Sequence, residues 1–322
     1  MERRSRPPYI ERQDVKMLDF HEPTLDDKTW IDEIFEGTQY FGCFCTFATL
    51  WLWKERYFTE VARLGDCLLI RGVDDEKKLY YMYPMGKGYD VCAAVAALRE
   101  DAAANGAGLL IYCAESWQCD ELRTAFPGEF AFEEQRGDFD YIYRSEDLIR
   151  LGGKKYHAKR NHISKFTRNY PDWQYEDVGP SNAGECIRFA DNLLENAIAL
   201  QDEEEVRELC MENTAIAKAL RHFDDLGMAG GLLRVGGRMV AFTIGEPIND
   251  RVFVTHFEKA DTDYDGAYSM INNQFAINRL SGFAYINREE DMDKEGLRKA
   301  KLSYCPAILL EKYSARDISR GE

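Results

Sequence analysis

The chain has 322 residues, of which 45% are hydrophobic and 13% aromatic, and this length suits two hydrophobic cores better than one. Its net charge of −16 repels nucleic acids and anionic membranes on average, and no apolar run is long enough to span a bilayer. The basic start, 1–20, lacks the apolar segment of a signal peptide and predicts a flexible arm. We therefore expect a cytoplasmic protein without stable membrane insertion.

The first half of the chain predicts an α/β unit. Two strand-like runs flank the turn Leu64-Gly65-Asp66, and a third run ends near residue 83. A helix then begins at Val91, places its apolar residues on one face and ends at Asn105-Gly106. A buried strand, a short helix and a closing strand at 139–144 complete this unit.

Helices are predicted between this unit and the next. Residues 155–170, 181–200 and 202–226 are each predicted to form one helix. Acidic residues follow Asp202 in the third of them, where a helix N-terminus favours negative charge.

The second half repeats the order of the first. Residues 231–257 again hold two runs around a tight turn, Val235-Gly236-Gly237, and then a third run. A helix, a buried strand, a short helix and a closing strand at 307–313 follow. The sequence thus predicts an α/β (α+β) fold of two tandem units from an internal duplication, with 57–145 superimposable on 231–314.

Domain boundaries follow from this repeat. We expect the first unit at 21–147, after the arm, and the helical connection with the start of the second unit at 148–228. The core of the second unit then spans 229–322.

The order of three strands, helix, strand, helix and strand resembles the GNAT (acyl-CoA N-acyltransferase-like) fold. In duplicate, it resembles the Fem-type aminoacyltransferases and the C-terminal domain of phosphatidylglycerol lysyltransferases. The segments 152–166, 230–246 and 285–304 are similar to an uncharacterised, soluble branch of that second family, and the resemblance covers about 25–315. It implies two GNAT-like domains that transfer an acyl or aminoacyl group from an activated ester to an amine or hydroxyl.

One motif within this resemblance suggests a catalytic residue. Gly296–Lys301 is similar to the Gly-Leu-x-x-Phe-Lys signature of Fem-type enzymes, although Ala300 replaces its aromatic residue. The resemblance implies that Lys301 lies at the acyl-transfer centre, where a fixed cation stabilises the developing oxyanion. Arg298 and Lys299 are predicted to bind substrate beside it. The alternative is a solvated basic turn.

Two further groups of polar residues are predicted to face the same cleft. His256 and Glu258 share one face of a strand by period-two alternation and could deprotonate an attacking ammonium, or form a structural pair. Asn287, Glu289 and Glu290 follow a buried strand, at the edge where open α/β sheets place ligands. They are predicted to bind a cationic aminoacyl group or amine, with a solvated acidic loop as the alternative.

Residues 150–168 carry seven basic residues and no acidic ones, in a chain that is otherwise acidic. Between Asp147 and Asp172 no acidic residue occurs. Such a segment suits tRNA or a phosphorylated acceptor, although a charged helix face between domains explains it as well. The residues predicted to contact phosphate are Lys154, Lys155, Lys159 and Arg160.

Three functions remain open at this point. We favour transfer from aminoacyl-tRNA to a small-molecule or peptide acceptor, with no metal and no required cofactor. An acyl-CoA-dependent N-acyltransferase is the first rival, because the glycine loop Gly86–Gly88 could bind a pyrophosphate, whereas the aspartates at 261–265 would repel one. A binding protein that has kept the fold without catalysis is the second rival.

Overall fold

The computed structural model describes residues 18–74, 76–198 and 201–319. In those ranges the first-half strands are β1 Glu60–Leu64, β2 Cys67–Val73, β3 Leu79–Met82, β4 Met85–Gly86, β5 Leu110–Glu115, β6 Phe130–Glu134 and β7 Asp140–Arg144. The later strands are β8 Gln174–Val178, β9 Ala229–Val235, β10 Arg238–Pro247, β11 Val252–Ala260, β12 Tyr285–Asn287, β13 Ile308–Leu310 and β14 Lys312–Asp317.

Helices occupy most of the remaining chain. The early ones are α1 Lys28–Phe35, α2 Phe47–Leu52, α3 Lys54–Tyr57, α4 Val91–Ala104, α5 Ser116–Ala125 and α6 Ser145–Arg150. The later ones are α7 His157–Asn169, α8 Ala183–Ile198, α9 Glu203–Arg221, α10 Ala267–Arg279 and α11 Glu295–Leu302.

Local sequence signals explain several of these elements. Gly65 has a φ of 61° and Gly236 a φ of 57°, so the two predicted hairpin turns occur where glycine tolerates left-handed backbone. The Asp90 side chain accepts hydrogen bonds from the first turn of α4, and Asp202 does the same for α9. The predicted connecting helices correspond to α7, α8 and α9, but the edge strand β8 was not expected.

The strands form two seven-stranded sheets with matching orders. The first sheet runs β1-β2-β3-β5-β14-β6, and the short strand β4 also pairs with the beginning of β2. The second runs β8-β9-β10-β11-β12-β7-β13. Apart from the additions β4 and β8, each strand of one sheet has a counterpart in the other. The chain therefore has the predicted mixed α/β architecture of two GNAT-like units.

The two units exchange one strand each. β7 from the first half pairs with β12 and β13 of the second sheet, and β14 from the second half pairs with β5 and β6 of the first. The prediction that 139–144 closes its own half is therefore wrong. For 307–313 it holds only in part, because Ile308–Leu310 pairs in the second sheet and the strand from Lys312 onward pairs in the first. Neither 21–147 nor 229–322 encloses a whole sheet, because alternation identifies a buried strand but not the sheet in which it pairs.

The end of the predicted arm is also part of the first unit. Residues 1–17 lie outside the described residues, but the Phe20 ring lies 6.3 Å from the Tyr81 ring and 4.3 Å from the Arg71 guanidinium. His21 then pairs with Val61 of β1. The prediction of a flexible arm at 1–20 is therefore wrong at its end, where Phe20 packs against the first unit.

The largest core lies between the two sheets and belongs to both halves. It joins Val61 and Leu68 of the first sheet to Phe242 and Val254 of the second, with apolar side chains of α1, α2, α8 and α9 between them. Such a shared core means that neither half buries its apolar surface alone. Among the helices of the described residues, none combines the length and apolarity that crossing a membrane requires.

A buried ion pair connects the exchanged strands at their first residues. The Lys312 Nζ lies 2.6 Å from the Asp140 Oδ1, and both side chains are at most 1% exposed. The backbone N–H of Cys43 and the side-chain amide of Asn287 also donate to Asp140, at 2.8 and 2.9 Å. Although burial opposes the charged amine, Asp140 holds the pKa of Lys312 well above its usual range.

Replacing Lys312 with Met keeps the aliphatic stem but leaves the Asp140 carboxylate buried without its cation. We expect the free energy of unfolding, measured in urea, to fall by about 3 kcal/mol, because breaking a buried pair leaves a charge uncompensated. Lys294→Met, which removes a half-exposed lysine 3.1 Å from Glu208, is the control and should cost less than about 1 kcal/mol. Equal losses in both variants would contradict the role of the pair.

Candidate functional site

The site begins where two neighbouring strands separate. β11 and β12 are parallel and pair only from Val252–Tyr285 to Val254–Asn287, although β11 continues to Ala260. Beyond Val254, no strand of the described residues pairs with β11 on the side of β12, and a loop follows β12. We call residues 287–291 the site loop. His256 and Glu258, predicted to face a cleft, lie on β11 just past the separation.

Each side chain of the site loop contacts a different part of the protein. Asn287 bonds to Asp140, and Arg288 forms an ion pair with Glu258 at 2.8 Å. Glu289 adopts a φ of 57°, a left-handed conformation that costs energy in a non-glycine residue. These two contacts, together with the one between the Glu289 carboxylate and His256 at 2.9 Å, hold the loop in one conformation.

His256 is held between two glutamates in the interior. Its Nδ1 lies 2.9 Å from the Glu289 carboxylate and its Nε2 lies 3.1 Å from the Glu246 carboxylate, with 1% of the ring exposed. Burial lowers the pKa, but the hydrogen bonds to Glu246 and Glu289 outweigh burial and raise it to about 9. The ring is therefore protonated at neutral pH, which favours an electrostatic and positioning role over the predicted role as a base.

Glu290 is better suited to accept a proton. Burial is the main cause that raises the pKa of its carboxyl to about 7, and Glu289 and Asp140 add to the rise against the opposing charge of Lys312. A carboxyl that titrates near neutral pH is typical of a general base. The sequence predicted Glu290 as a substrate contact, and the raised pKa of its carboxyl also suits proton transfer.

Lys301 lies beneath the site loop and not in a solvated turn. Its ammonium donates to the backbone carbonyls of Arg288 and Glu290, and the side chain is buried. Burial lowers its pKa, while Glu290 and Glu289 oppose that shift. Lys301 and the Glu290 backbone are therefore in direct contact, and one of the three N–H donors of the ammonium remains for another partner.

A second group of charged side chains surrounds the Tyr304 ring, and we call it the second charged cluster. The Lys159 Nζ lies 3.7 Å from the centre of the Tyr304 ring, and the Arg288 guanidinium lies 4.8 Å from the same ring. Burial, with help from Arg288, lowers the pKa of Lys159 to about 8. Lys159 thus belongs to the site, which corrects its predicted place on a surface patch. The Arg288 Nη1 and the Asn272 Oδ1 are buried and lack partners among the described residues.

Several predicted substrate contacts are used inside the protein instead. Asn287 is fully buried and donates to the carbonyl of Phe41 as well as to Asp140, so it positions the loop. Arg298 forms ion pairs with Asp291 and Asp293. Lys299 is exposed on α11, so nothing in its position contradicts the prediction.

The basic segment forms the predicted helix, but folding supplies the acids that its sequence lacks. Lys155 lies 3.3 Å from Asp147, and Lys165 pairs with Asp265. Arg160 donates from its Nη1 to the backbone carbonyls of Leu151 and Gly153, and its contact with phosphate stays a prediction. Lys154 is exposed. The surface patch is thus smaller than the run of basic residues suggests.

Gly86 and Gly266 are too closely packed to cradle a pyrophosphate, whereas a Cβ at Gly88, with a φ of 63°, would meet no atom within 4 Å. The Gly86 N–H donates to the Tyr40 hydroxyl, and a Cβ at Gly86 would meet the Asp66 carbonyl at 2.2 Å. Gly266, before α10, packs so closely under α7 that a Cβ would meet the His162 carbonyl at 2.5 Å. Close packing and turn geometry therefore account for these glycines, which weakens the case for acyl-CoA.

The equivalent opening of the first sheet is largely filled. β3 and β5 separate after Met82 and Tyr112, as β11 and β12 do. The segment 42–45 enters there, where Gly42 and Phe44 border a cavity of only about 20 Å³. The charged side chains of the site loop lie at the separation in the second sheet, which we therefore take as the candidate site.

Sequence reasoning missed the residues that come from the first half. The ligand atoms of Cys43, Asp140 and Glu290 lie within 4.8 Å of one another, an arrangement that could hold a metal ion. However, the Lys312 ammonium lies 3.5 Å from the Cys43 sulfur and 2.6 Å from Asp140, so it already provides a cation there. No local signal identifies these residues, because they meet only through the strand exchange.

The two sheets and their exchanged strands define a protein with a duplicated GNAT-like fold. The family described as "Phosphatidylglycerol lysyltransferase, C-terminal" matches residues 36–316, and the chain belongs to it. This confirms the resemblance seen in the sequence.

Solved structures agree with this assignment. A conserved protein of unknown function from Bacteroides thetaiotaomicron is 40% identical, with a TM-score of 0.87 over 94% of this chain and 100% of that one. L-PGS from Bacillus licheniformis is 14% identical, with a TM-score of 0.65 over 96% and 95% of the two chains, which shows a shared fold. The C-terminal domain of a protein named as a lysylphosphatidylglycerol synthetase from Agrobacterium fabrum has a TM-score of 0.64 at 13% identity, over 90% and 91%.

One curated relative matches only in part. An uncharacterized protein of Mycoplasmoides gallisepticum is 23% identical over 190 residues, which are 56% of each chain. The chain therefore spans about half the length of that relative.

The charged state of His256 predicts a specific pH dependence of stability. Because the folded-state pKa is raised from 6.5 to about 9, its contribution is fully present below pH 6.5 and is lost as the pH rises through 9. We expect wild type to lose about 3 kcal/mol of unfolding free energy relative to His256→Gln over that interval. Urea unfolding at several pH values measures the difference. His222→Gln, at a more exposed histidine, is the control, and parallel curves for wild type and His256→Gln would rule the idea out.

Proposed function

We propose that this protein transfers an aminoacyl group from aminoacyl-tRNA to an amine or hydroxyl of a small-molecule or peptide acceptor. One observation supports this most: the site loop holds the Lys301 ammonium against the Glu290 backbone where β11 and β12 separate. The Lys301 cation of α11 and the Glu290 carboxyl of the site loop, with its near-neutral pKa, suit the two demands of acyl transfer: charge stabilisation and proton transfer.

The reaction uses these groups in turn. The ionised Glu290 carboxylate accepts the proton of the acceptor amine or hydroxyl as that group attacks the ester carbonyl carbon. The carbonyl oxygen becomes an oxyanion, which the remaining N–H of Lys301 stabilises. The ester C–O bond then breaks, the tRNA hydroxyl leaves with a proton from Glu290, and the aminoacyl group stays on the acceptor.

The second charged cluster suits the aminoacyl group. The unpartnered Arg288 Nη1 offers a donor and the unpartnered Asn272 Oδ1 an acceptor, and a buried polar group without a partner costs energy until a ligand provides one. Glu258, also in this cluster, supplies negative charge for an α-ammonium. It already bonds to both Arg288 and Asn272, so its predicted role as a base passes to Glu290.

Aminoacyl-tRNA fits this site better than acyl-CoA does. The N-terminus of α10 is covered by α7, and the Gly86 N–H is occupied, so a pyrophosphate finds no free backbone donors at these two points. α7 also carries Lys159 into the site while Lys154 and Lys155 precede it on the surface. With that donor, a cytoplasmic location stays our expectation. A non-catalytic binding protein would keep the site loop but transfer no aminoacyl group.

The test is an assay with radiolabelled aminoacyl-tRNA and an acceptor pool extracted from the host, with product separated by chromatography. We expect Lys301→Met to slow transfer by about two to three orders of magnitude, because the oxyanion loses roughly 2–4 kcal/mol of stabilisation. Lys294→Met, at a half-exposed lysine just before α11 that has no predicted role in the site, is the control and should retain the wild-type rate.

Three results would contradict the proposal. If wild type and Lys301→Met transfer the aminoacyl group at the same rate, Lys301 has no role in the reaction. Transfer from acyl-CoA but not from aminoacyl-tRNA would favour the first rival, and binding of aminoacyl-tRNA without turnover would favour the second. Since Lys301 also supports two loop carbonyls, the folding of the variant is checked by its unfolding curve.

A further inference from the structure

A cleft with a volume of about 520 Å³ lies at the other end of β12 from the site loop. Its walls come from the end of β7, from α6, from Arg251 just before β11 and from residues 281–285 at the start of β12. The residues lining it are Arg144, Ser145, Glu146, Ile149, Arg150, Arg251, Ser281, Phe283, Ala284 and Tyr285. This volume is in the range of small-molecule binding sites.

The cleft is positively charged in a chain of net charge −16. Three arginines line it against one acid, Glu146, which lies 3.3 Å from Arg150. Arg144 and Arg251 form no ion pair with a carboxylate within the described parts of the chain. The Arg251 Nη1 donates to the side-chain carbonyl of Gln39 at 3.4 Å, which leaves its charge without a counter-charge. Such a concentration of guanidinium groups attracts an anion.

A buried hydroxyl points to a bound ligand independently of these charges. Ser145 is 2% exposed and lines the cleft, yet its Oγ lacks a hydrogen-bond partner among the described residues. Its backbone N–H is already used by the carbonyl of Ala284. Since a buried hydroxyl without a partner costs energy, a ligand oxygen in the cleft would remove that cost.

Aromatic rings stand beside the two unpaired arginines. The Tyr285 and Phe41 rings are 5.4 Å apart, with the Arg144 guanidinium 6.0 Å from the Tyr285 ring and the Arg251 guanidinium 6.0 Å from the Phe41 ring. Phe283 and Ile149 add apolar surface to the wall. The cleft therefore combines anion recognition with a surface on which a flat ring packs.

We propose that this cleft binds a phosphate ester carrying a flat ring, of the size of a nucleoside monophosphate. Arg144 and Arg251 hold the phosphate oxygens, the Ser145 hydroxyl donates to one of them, and the ring packs against Tyr285 and Phe283. The cleft is separate from the site loop, so this proposal does not depend on the proposed acyl transfer.

Calorimetric titration of the whole chain with AMP tests this, with adenosine as the ligand that lacks only the phosphate and inorganic phosphate as the ligand that lacks the ring. We expect saturable AMP binding and at least about tenfold weaker binding of either fragment, since each lacks one set of contacts. Arg251→Gln and Ser145→Ala should each weaken AMP binding by about tenfold, and Arg251→Lys should restore part of it.

Arg279→Gln is the control, because this exposed arginine pairs with Asp177 outside the cleft. No saturable AMP binding at millimolar concentration would overturn the proposal. So would equal affinities for AMP and adenosine, or unchanged AMP affinity in both Arg251→Gln and Ser145→Ala. Tighter binding of a short single-stranded RNA than of AMP would replace the small ligand with a nucleic acid and also count against the proposal.

Discussion

The architecture depends on the buried ion pair between Lys312 and Asp140. Each residue begins a strand that has crossed into the sheet of the other half, and each charge would be buried alone without its partner. The same Asp140 carboxylate accepts the amide of Asn287, the first residue of the site loop. A single contact therefore ties the strand exchange, the shared core and the base of the candidate site together.

That connection explains how a strained loop can persist. Glu289, Met292 and Asp293 all have positive φ, between 50° and 57°, which non-glycine residues adopt at an energetic cost. His256 from β11 contacts the Glu289 side chain, the backbone N–H of Met292 donates to the Gly137 carbonyl, and Arg298 from α11 pairs with Asp293. The duplicated fold thus supplies one constrained loop where two strands separate, while the equivalent opening in the first unit is occupied by 42–45.

The sequence predicted what local physics controls. Glycine turns at Gly65 and Gly236, helix caps and apolar periodicity gave the hairpins and most helices, and the strand-end rule located the site loop. It could not predict which sheet receives a strand, because alternation specifies faces and not neighbours. Nor could it show that Asp265 neutralises Lys165 or that Lys159 turns inward, since those contacts join residues from separate elements.

The central claim is that acyl transfer occurs at the site loop in the second unit. Amide hydrogen exchange of the whole chain, with and without a tRNA minihelix bearing a stable amide-linked aminoacyl group, tests it most directly. The account predicts slower exchange in peptides covering 287–293 and the end of β11 when the analogue binds. Protection confined to the segment 42–45 and the first sheet, with no change at 287–293, would contradict it.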